Sequence, residues 1–353
     1  MKVLISSFAA TLLLSLISPS LAVKSHDFKT CSQSGFCRRG RALAQRAQAS
    51  SDTWRSPYSL DPSTVAISPK EASFTAGVKS ALYPEIKFGL DVRVQDDGVV
   101  RVRMDEIDGL RKRYDEAASW ALNAEPVVSP SIKWTVGKKD VRATYGDKKD
   151  IEFAVEFEPL RIVLRRGGKE QVVVNGQGLL HMEHFRTKKT QEKQVESGEE
   201  GADQVPLEVN ACAWFEGEEE DAYWEETFSS WTDSKPKGPE SLSVDITFPS
   251  HGHVYGIPQH ATSLSLPTTV GDSPTYSDPY RLYNTDVFEY IASSPMSLYG
   301  SIPLMHAHSA DSTVGVFHVV GSETWIDVGH ASPRSTQTHW ISESGILDLF
   351  ITD

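Results

Sequence analysis

Between Leu90 and Met104 the chain alternates on a period of two: Leu90, Val92 and Val94 are spaced by polar residues, Asp96-Asp97-Gly98 follows, and Val100, Val102 and Met104 alternate back. Such a period puts the apolar side chains on one face of a strand. An Asp-Gly step reverses the chain, because glycine accepts the positive φ of a tight turn. The segment is therefore read as a β-hairpin with one face in a core. The same grammar recurs along the chain. Tyr58 to Val78 is strand-like, and Val155-Glu-Phe-Glu158 and Arg161-Ile-Val-Leu164 bracket Pro159. Gly167-Gly168 precedes Gln171-Val-Val-Val174, and Leu242, Val244, Ile246 and Phe248 alternate up to Pro249. Further strands are expected around Val254, Ser301 to His306, Val314 to Val319 and Ile346 to Ile351. Short strands divided by Gly, Pro and Asp predict a mainly β protein built as a β-sandwich.

The remaining segments bound the class. Lys2, an apolar run from Val3 to Ile17 broken by serines, and Ser20-Leu21-Ala22 form the pattern of a secretory signal peptide over residues 1–22. The run is too short and interrupted for a membrane anchor, which needs about 20 apolar residues. A polar, basic arm over 23–57 carries Arg38, Arg39, Arg41 and Arg46, with a short helix expected over Gly40 to Ala49. The β domain is assigned to 58–353. Residues 188–221 interrupt it with Glu196, Glu199, Glu200, Asp203 and Glu218-Glu-Glu-Asp221. This segment is read as an acidic mobile insertion, with an acidic docking site as its sharper alternative. The net charge of -13 argues against a nucleic-acid partner, whose phosphates demand a basic surface. Beside this β-rich material there is no room in 353 residues for a (β/α)₈ barrel of typically about 250.

There are three cysteines. Cys31 and Cys37 are close enough to close one small loop in an oxidising compartment. Cys212, flanked by Ala211, Ala213 and Trp214, is read as a buried free thiol. His251-Gly-His253 and His306-Ala-His308 each put two imidazoles on one strand face, but no acidic or thiolate partner sits at ligand spacing, so no metal and no cofactor is assigned.

Several motifs stand in a fixed order. Phe28-Lys-Thr-Cys31 and Phe36-Cys37-Arg38 come first, then Trp224-Glu-Glu-Thr-Phe228, Asp233-Ser-Lys-Pro236 and Gly238-Pro239. Val254-Tyr-Gly-Ile-Pro-Gln-His-Ala-Thr-Ser-Leu-Ser-Leu-Pro267 and Tyr280-Arg-Leu-Tyr-Asn-Thr-Asp-Val-Phe-Glu-Tyr290 follow, and Pro295 to Pro303 and Gly321 to Trp325 complete the set. Together these resemble the N-terminal region of family-31 glycoside hydrolases, and most closely its glucosidase II branch. The resemblance implies a galactose-mutarotase-like β-sandwich and a Cys31–Cys37 disulfide. It also implies a retaining α-glucosidase of the endoplasmic-reticulum lumen that trims α-1,3-linked glucose from N-linked glycans beside a glucosidase II β subunit.

The same resemblance makes Asp286 a sugar ligand next to the scissile bond, with Asn284 and Tyr283 beside it. Their chemistry suits that role, since a carboxylate accepts two hydroxyl hydrogen bonds, an amide donates and accepts, and a phenol ring offers a flat face. The plain alternative is an Asn-Thr-Asp turn whose side chains bond their own backbone. The family's nucleophile motif, Trp-x-Asp-Met-Asn-Glu, does not occur. Trp231-Thr-Asp233 matches only its first half, so no catalytic residue is assigned and the chain alone is expected to be inactive. The resemblance places the catalytic barrel beyond Asp353. Two other readings stand beside it: a non-catalytic carbohydrate-binding or regulatory sandwich, and the N-terminal domain of another secreted family-31 α-glucosidase.

Overall fold

The computed structural model describes residues 28–129, 131–187, 224–287 and 290–353. The signal sequence, Cys212 and the insertion at 188–221 lie outside them. Two large antiparallel sheets dominate the described residues. The first has eight strands in the order Tyr58–Ser68, Ser73–Ser80, Lys87–Val94, Val100–Ile107, Leu347–Thr352, Thr313–His318, Leu304–His308 and Val254–Gly256. The second has ten. Its main path runs Tyr280–Leu282, Thr324–Ser332, Ser335–Ser342, Leu242–Phe248, Lys169–Val174, Arg161–Arg166, Ile151–Glu156, Asp140–Tyr145 and Trp134–Val136, and His181–Met182 pairs with Leu242–Phe248 off that path.

The hairpin read from the sequence forms in the expected register, with Leu90 opposite Met104, Val92 opposite Val102 and Val94 opposite Val100. Gly98 turns it at a φ of 87°, and Val99 N–H donates to Asp97 Oδ1 at 3.0 Å. All six of those apolar side chains are buried, in one core cluster with Phe153, Ile162, Val244, Ile246 and Trp340 of the second sheet. The two inner faces thus share a core, the layered arrangement the alternation implies. Each such side chain contributes roughly 1.5–3 kcal/mol by leaving water. Leu347–Thr352, near the end of the chain, sits in mid-sheet between Val100–Ile107 and Thr313–His318.

The arm departs from the expectation of an extended segment with a short helix. Its helix runs Gly35–Ala49 and begins five residues earlier than Gly40. It lies against the outer face of the second sheet, where Phe36, Cys31 and Cys37 pack with Trp325 and Ile341. The reason is legible once the helix is drawn, because Phe36, Gly40, Leu43 and Ala47 share one face at helical spacing and are all buried. Gly40 is required there, since a Cβ would come within 2.8 Å of the Ile341 side chain. Cys31 and Cys37 are disulfide-bonded, with Cα atoms 5.2 Å apart.

Candidate functional site

The loop that follows Tyr280–Leu282 is held by three sequence motifs brought together. Strand Tyr280–Leu282 is the edge of the ten-stranded sheet and, among the described residues, pairs only with Thr324–Ser332. Beyond Leu282 the side chains alternate between exposed (Tyr283, Asn284, Asp286) and buried (Thr285, Val287). Thr285 is the anchor. Its N–H donates to Leu298 O at 2.7 Å, and its hydroxyl lies 3.1 Å from Tyr283 O and 3.0 Å from Ser297 Oγ. Tyr299 adds a second tie, its hydroxyl donating to Val287 O at 2.6 Å.

The Tyr255-Gly-Ile-Pro-Gln-His260 segment braces the same loop from below. Gly256 has φ 108°, and a Cβ there would run into the Leu304 carbonyl, so only glycine fits. His260 is half-buried, with Nδ1 2.8 Å from Ile257 O and Nε2 2.8 Å from Arg281 O. Burial lowers its pKa against the pull of those two carbonyls, so the ring is neutral and donates to one of them at a time. The edge of the His260 ring meets Tyr280 at a centroid distance of 5.4 Å. Leu298 N–H donates to Gln259 O, and Arg281 N–H to Pro295 O, which closes the cluster.

Arg281 sets the aromatic side of the site. Its guanidinium donates to Glu323 Oε1 at 3.0 Å and lies between two rings, 4.6 Å from that of Tyr283 and 5.1 Å from that of Trp325. Trp325 Nε1 donates to the same Glu323 oxygen at 2.8 Å. One face of Tyr283 is therefore engaged by a cation, and the residue is still 48% exposed. Among the described residues Asn284 and Asp286 make no hydrogen bond to protein; only Thr285 behaves as a turn residue bonding its own backbone. The loop offers a carboxylate, an amide and an aromatic edge on a braced support, groups that can accept and donate hydrogen bonds.

Three of the four paired histidines are engaged elsewhere. His251 Nε2 meets Ser312 Oγ, His253 Nδ1 meets Ser265 Oγ, and His308 Nδ1 meets Thr313 Oγ1. Among the described residues no group of three or more His, Cys, Asp or Glu is placed to hold a metal. No described helix is long and apolar enough to cross a membrane.

Residues 89–327 match the family described as the glycosyl hydrolase 31 N-terminal galactose mutarotase-like domain. The chain belongs to glycosyl hydrolase family 31. Among relatives, the glucosidase 2 subunit alpha of Schizosaccharomyces pombe is 34% identical, over 98% of this chain and 37% of the relative. A crystal structure of glucosidase II alpha subunit in its alpha3-Glc2-bound form superposes with a TM-score of 0.77 at 37% identity, over 93% of this chain and 36% of that one. An ER glucosidase II heterodimeric complex, consisting of catalytic subunit and the binding domain of the regulatory subunit, matches with a TM-score of 0.78 at 37% identity, over 93% and 36%. The chain thus spans just over a third of the length of the relatives it matches.

Sequence reasoning missed the polar clamp that fixes the arm of this family-31 domain. Arg39, 4% exposed, lies bidentate on fully buried Glu183 at 3.2 and 3.0 Å, and Glu183 also accepts from Ser241 N–H and Oγ. Arg113 donates to the carbonyls of Gly345, Glu183 and Glu240. Lys29 and the N–H of Gly35 both donate to Glu226, so the Trp224-Glu-Glu-Thr-Phe228 motif ties to the start of the helix. The available signal was Arg39 on the same helical face as Phe36 and Leu43, where a charge needs a buried partner.

Proposed function

We propose that this chain is the N-terminal domain of an α-glucosidase that removes α-1,3-linked glucose from N-linked glycans. In this reading the loop at 283–287 supplies sugar contacts beside the bond that is cleaved. The observation that carries it is the pairing of a firmly anchored Thr285 with exposed Asn284 and Asp286 side chains that have no protein partner among the described residues. A turn that served only itself would spend those side chains on its own backbone. The relatives named glucosidase II support the substrate class, and the structure bound to alpha3-Glc2 supports the linkage.

Asp286 and Asn284 hold hydroxyls of the terminal sugar, and Tyr283 flanks the ring with its exposed edge. The two carboxyl groups of a retaining mechanism, about 5–5.5 Å apart, come from a catalytic domain outside these 353 residues. The working compartment is the lumen of the endoplasmic reticulum, entered by the signal at 1–22, and the partner is a glucosidase II β subunit, as in the heterodimeric relative. The test compares two purified proteins, the 353-residue chain and the product of the complete reading frame, on a glucosylated high-mannose glycan. Release of glucose by the complete protein and none by the chain alone supports the proposal. Turnover by the chain alone, abolished by a substitution within it, overturns it.

A further inference from the structure

A concavity lies at the other end of the strand that backs the candidate loop. Leu282 pairs with Thr324, whereas this cavity is lined by the Asp327 to His330 end of the same strand. Its other walls come from the C-terminal half of helix Gly35–Ala49, the segment after that helix, the strand Ser335–Ser342, and the segments around 159–161, 175–179 and 269–274. The volume is about 820 Å³, within the range of small-ligand sites.

The chemistry of the wall is specific. Gln45, Gln48, Gln177 and Gln337 all line it, and among the described residues none of the four side-chain amides bonds to protein. Trp54 forms one side, its indole N–H donating to Gly178 O at 3.2 Å. His339, 5% exposed, also lines the cavity, and among the described residues neither of its ring nitrogens has a partner. Both nitrogens are closed off from solvent, so the ring shapes the wall and reports on it without offering the cavity a hydrogen bond. Burial lowers the His339 pKa to about 4, so the ring in the wall is neutral.

The charges nearby are already spent. Arg41 lies bidentate on Asp327 at 2.9 and 2.6 Å, and Arg161 is paired with Glu170 at 2.8 Å. That leaves Arg55 as the one lining guanidinium without a carboxylate among the described residues, which is too little positive charge to select a phosphate. An amide carries a donor and an acceptor side by side, as does a vicinal pair of sugar hydroxyls, and an indole face suits the apolar side of a pyranose.

We propose that this cavity is a second sugar-binding site, distinct from the loop at 283–287, that takes a neutral, hydroxyl-rich oligosaccharide. The test titrates the full chain with maltotriose and, separately, with mannotriose, by calorimetry and by NMR of the histidine ring signals. The expected result is millimolar binding of at least one sugar with a shift of the His339 ring resonances. Gln45→Ala combined with Gln337→Ala, two positions outside the core, should weaken binding by about tenfold, the loss expected for two hydrogen bonds. Asp286→Ala should leave it unchanged. The proposal is overturned if neither sugar binds at millimolar concentration, if the glutamine variant binds like the parent, or if Asp286→Ala alone abolishes binding. The His339 shift is read on the unaltered chain, so the outcome does not depend on the variant folding.

Discussion

Arg39→Met tests whether the arm is part of the folded domain. Arg39 and Glu183 form a buried, bidentate pair, and Met fills similar space without the charge. Removing one partner of such a pair strands a buried charge and typically costs 3–5 kcal/mol. Here Ser241 still gives Glu183 two hydrogen bonds, at 2.9 and 2.5 Å, so the lower end, about 3 kcal/mol, is expected. At about 2 °C per kcal/mol for a domain of this size, the melting temperature should fall by roughly 6 °C. Urea unfolding followed by tryptophan fluorescence gives the free energy directly. Adding Glu183→Gln to Arg39→Met removes the stranded charge and should recover about half the loss. The half-exposed pair Arg93–Asp91 is the control, and Arg93→Met should cost less than about 1 kcal/mol. If Arg39→Met matched the parent within about 1 kcal/mol, or if the double variant were no better than the single, the clamp would not hold the arm.

Two further outcomes follow from the same geometry. Cys31→Ser with Cys37→Ser should lower stability by about 2 kcal/mol, as the chain-entropy estimate for so short a loop gives. Because the disulfide packs on Trp325 and Ile341, the loss should register in the global unfolding curve; a change confined to proteolysis of the arm would contradict that packing. Acid should destabilise the fold through its buried histidines. His318 and His339 are buried, with pKa values pushed down to about 4, below the unfolded value of 6.5. The unfolded state therefore binds more protons between about pH 6.5 and 4, and stability falls as pH drops through that window, by up to about 1.4 kcal/mol per pH unit for each ring. Asp245, raised to about 6, opposes this below pH 6, because there the folded state takes up the proton first. His318→Gln should flatten the urea midpoint measured against pH, and an unchanged slope would contradict the assignment.

The clearest strands in the sequence are those whose polar residues alternate with apolar ones. Lys87–Val94 and Val100–Ile107 alternate because their outer side chains meet solvent or charge partners such as Asp348. Thr324–Ser332 and Ser335–Ser342 are not legible, although they form a long hairpin. Their inner residues Ile326, Val328 and Trp340 enter the core, while Trp325, Asp327, His339 and Ile341 are buried on the other side, beneath the arm and around its cavity. With both faces dry, the contrast of period two disappears. The helix of the arm reads short in the sequence because Arg39 on its buried face masks the apolar spacing, and the partner that permits this, Glu183, is far away along the chain. The order of the motifs around the candidate loop is visible in the sequence. Their convergence through Thr285, His260 and Tyr299 is not, since hydrogen bonds to backbone carbonyls leave no mark on composition.

The kinetics of Asp286→Ala in the complete enzyme test the central claim most directly. Asp286 is exposed on a loop fixed by its neighbours, so the substitution removes a ligand and leaves the core alone. Hydrogen bonds to a charged group are worth roughly 1.5–3 kcal/mol, so kcat/KM on a glucosylated N-glycan should fall by about ten- to a hundredfold. The melting temperature should be unchanged. Wild-type kinetics in that variant would return Asn284-Thr285-Asp286 to the status of an ordinary turn and remove the basis for assigning the loop to substrate.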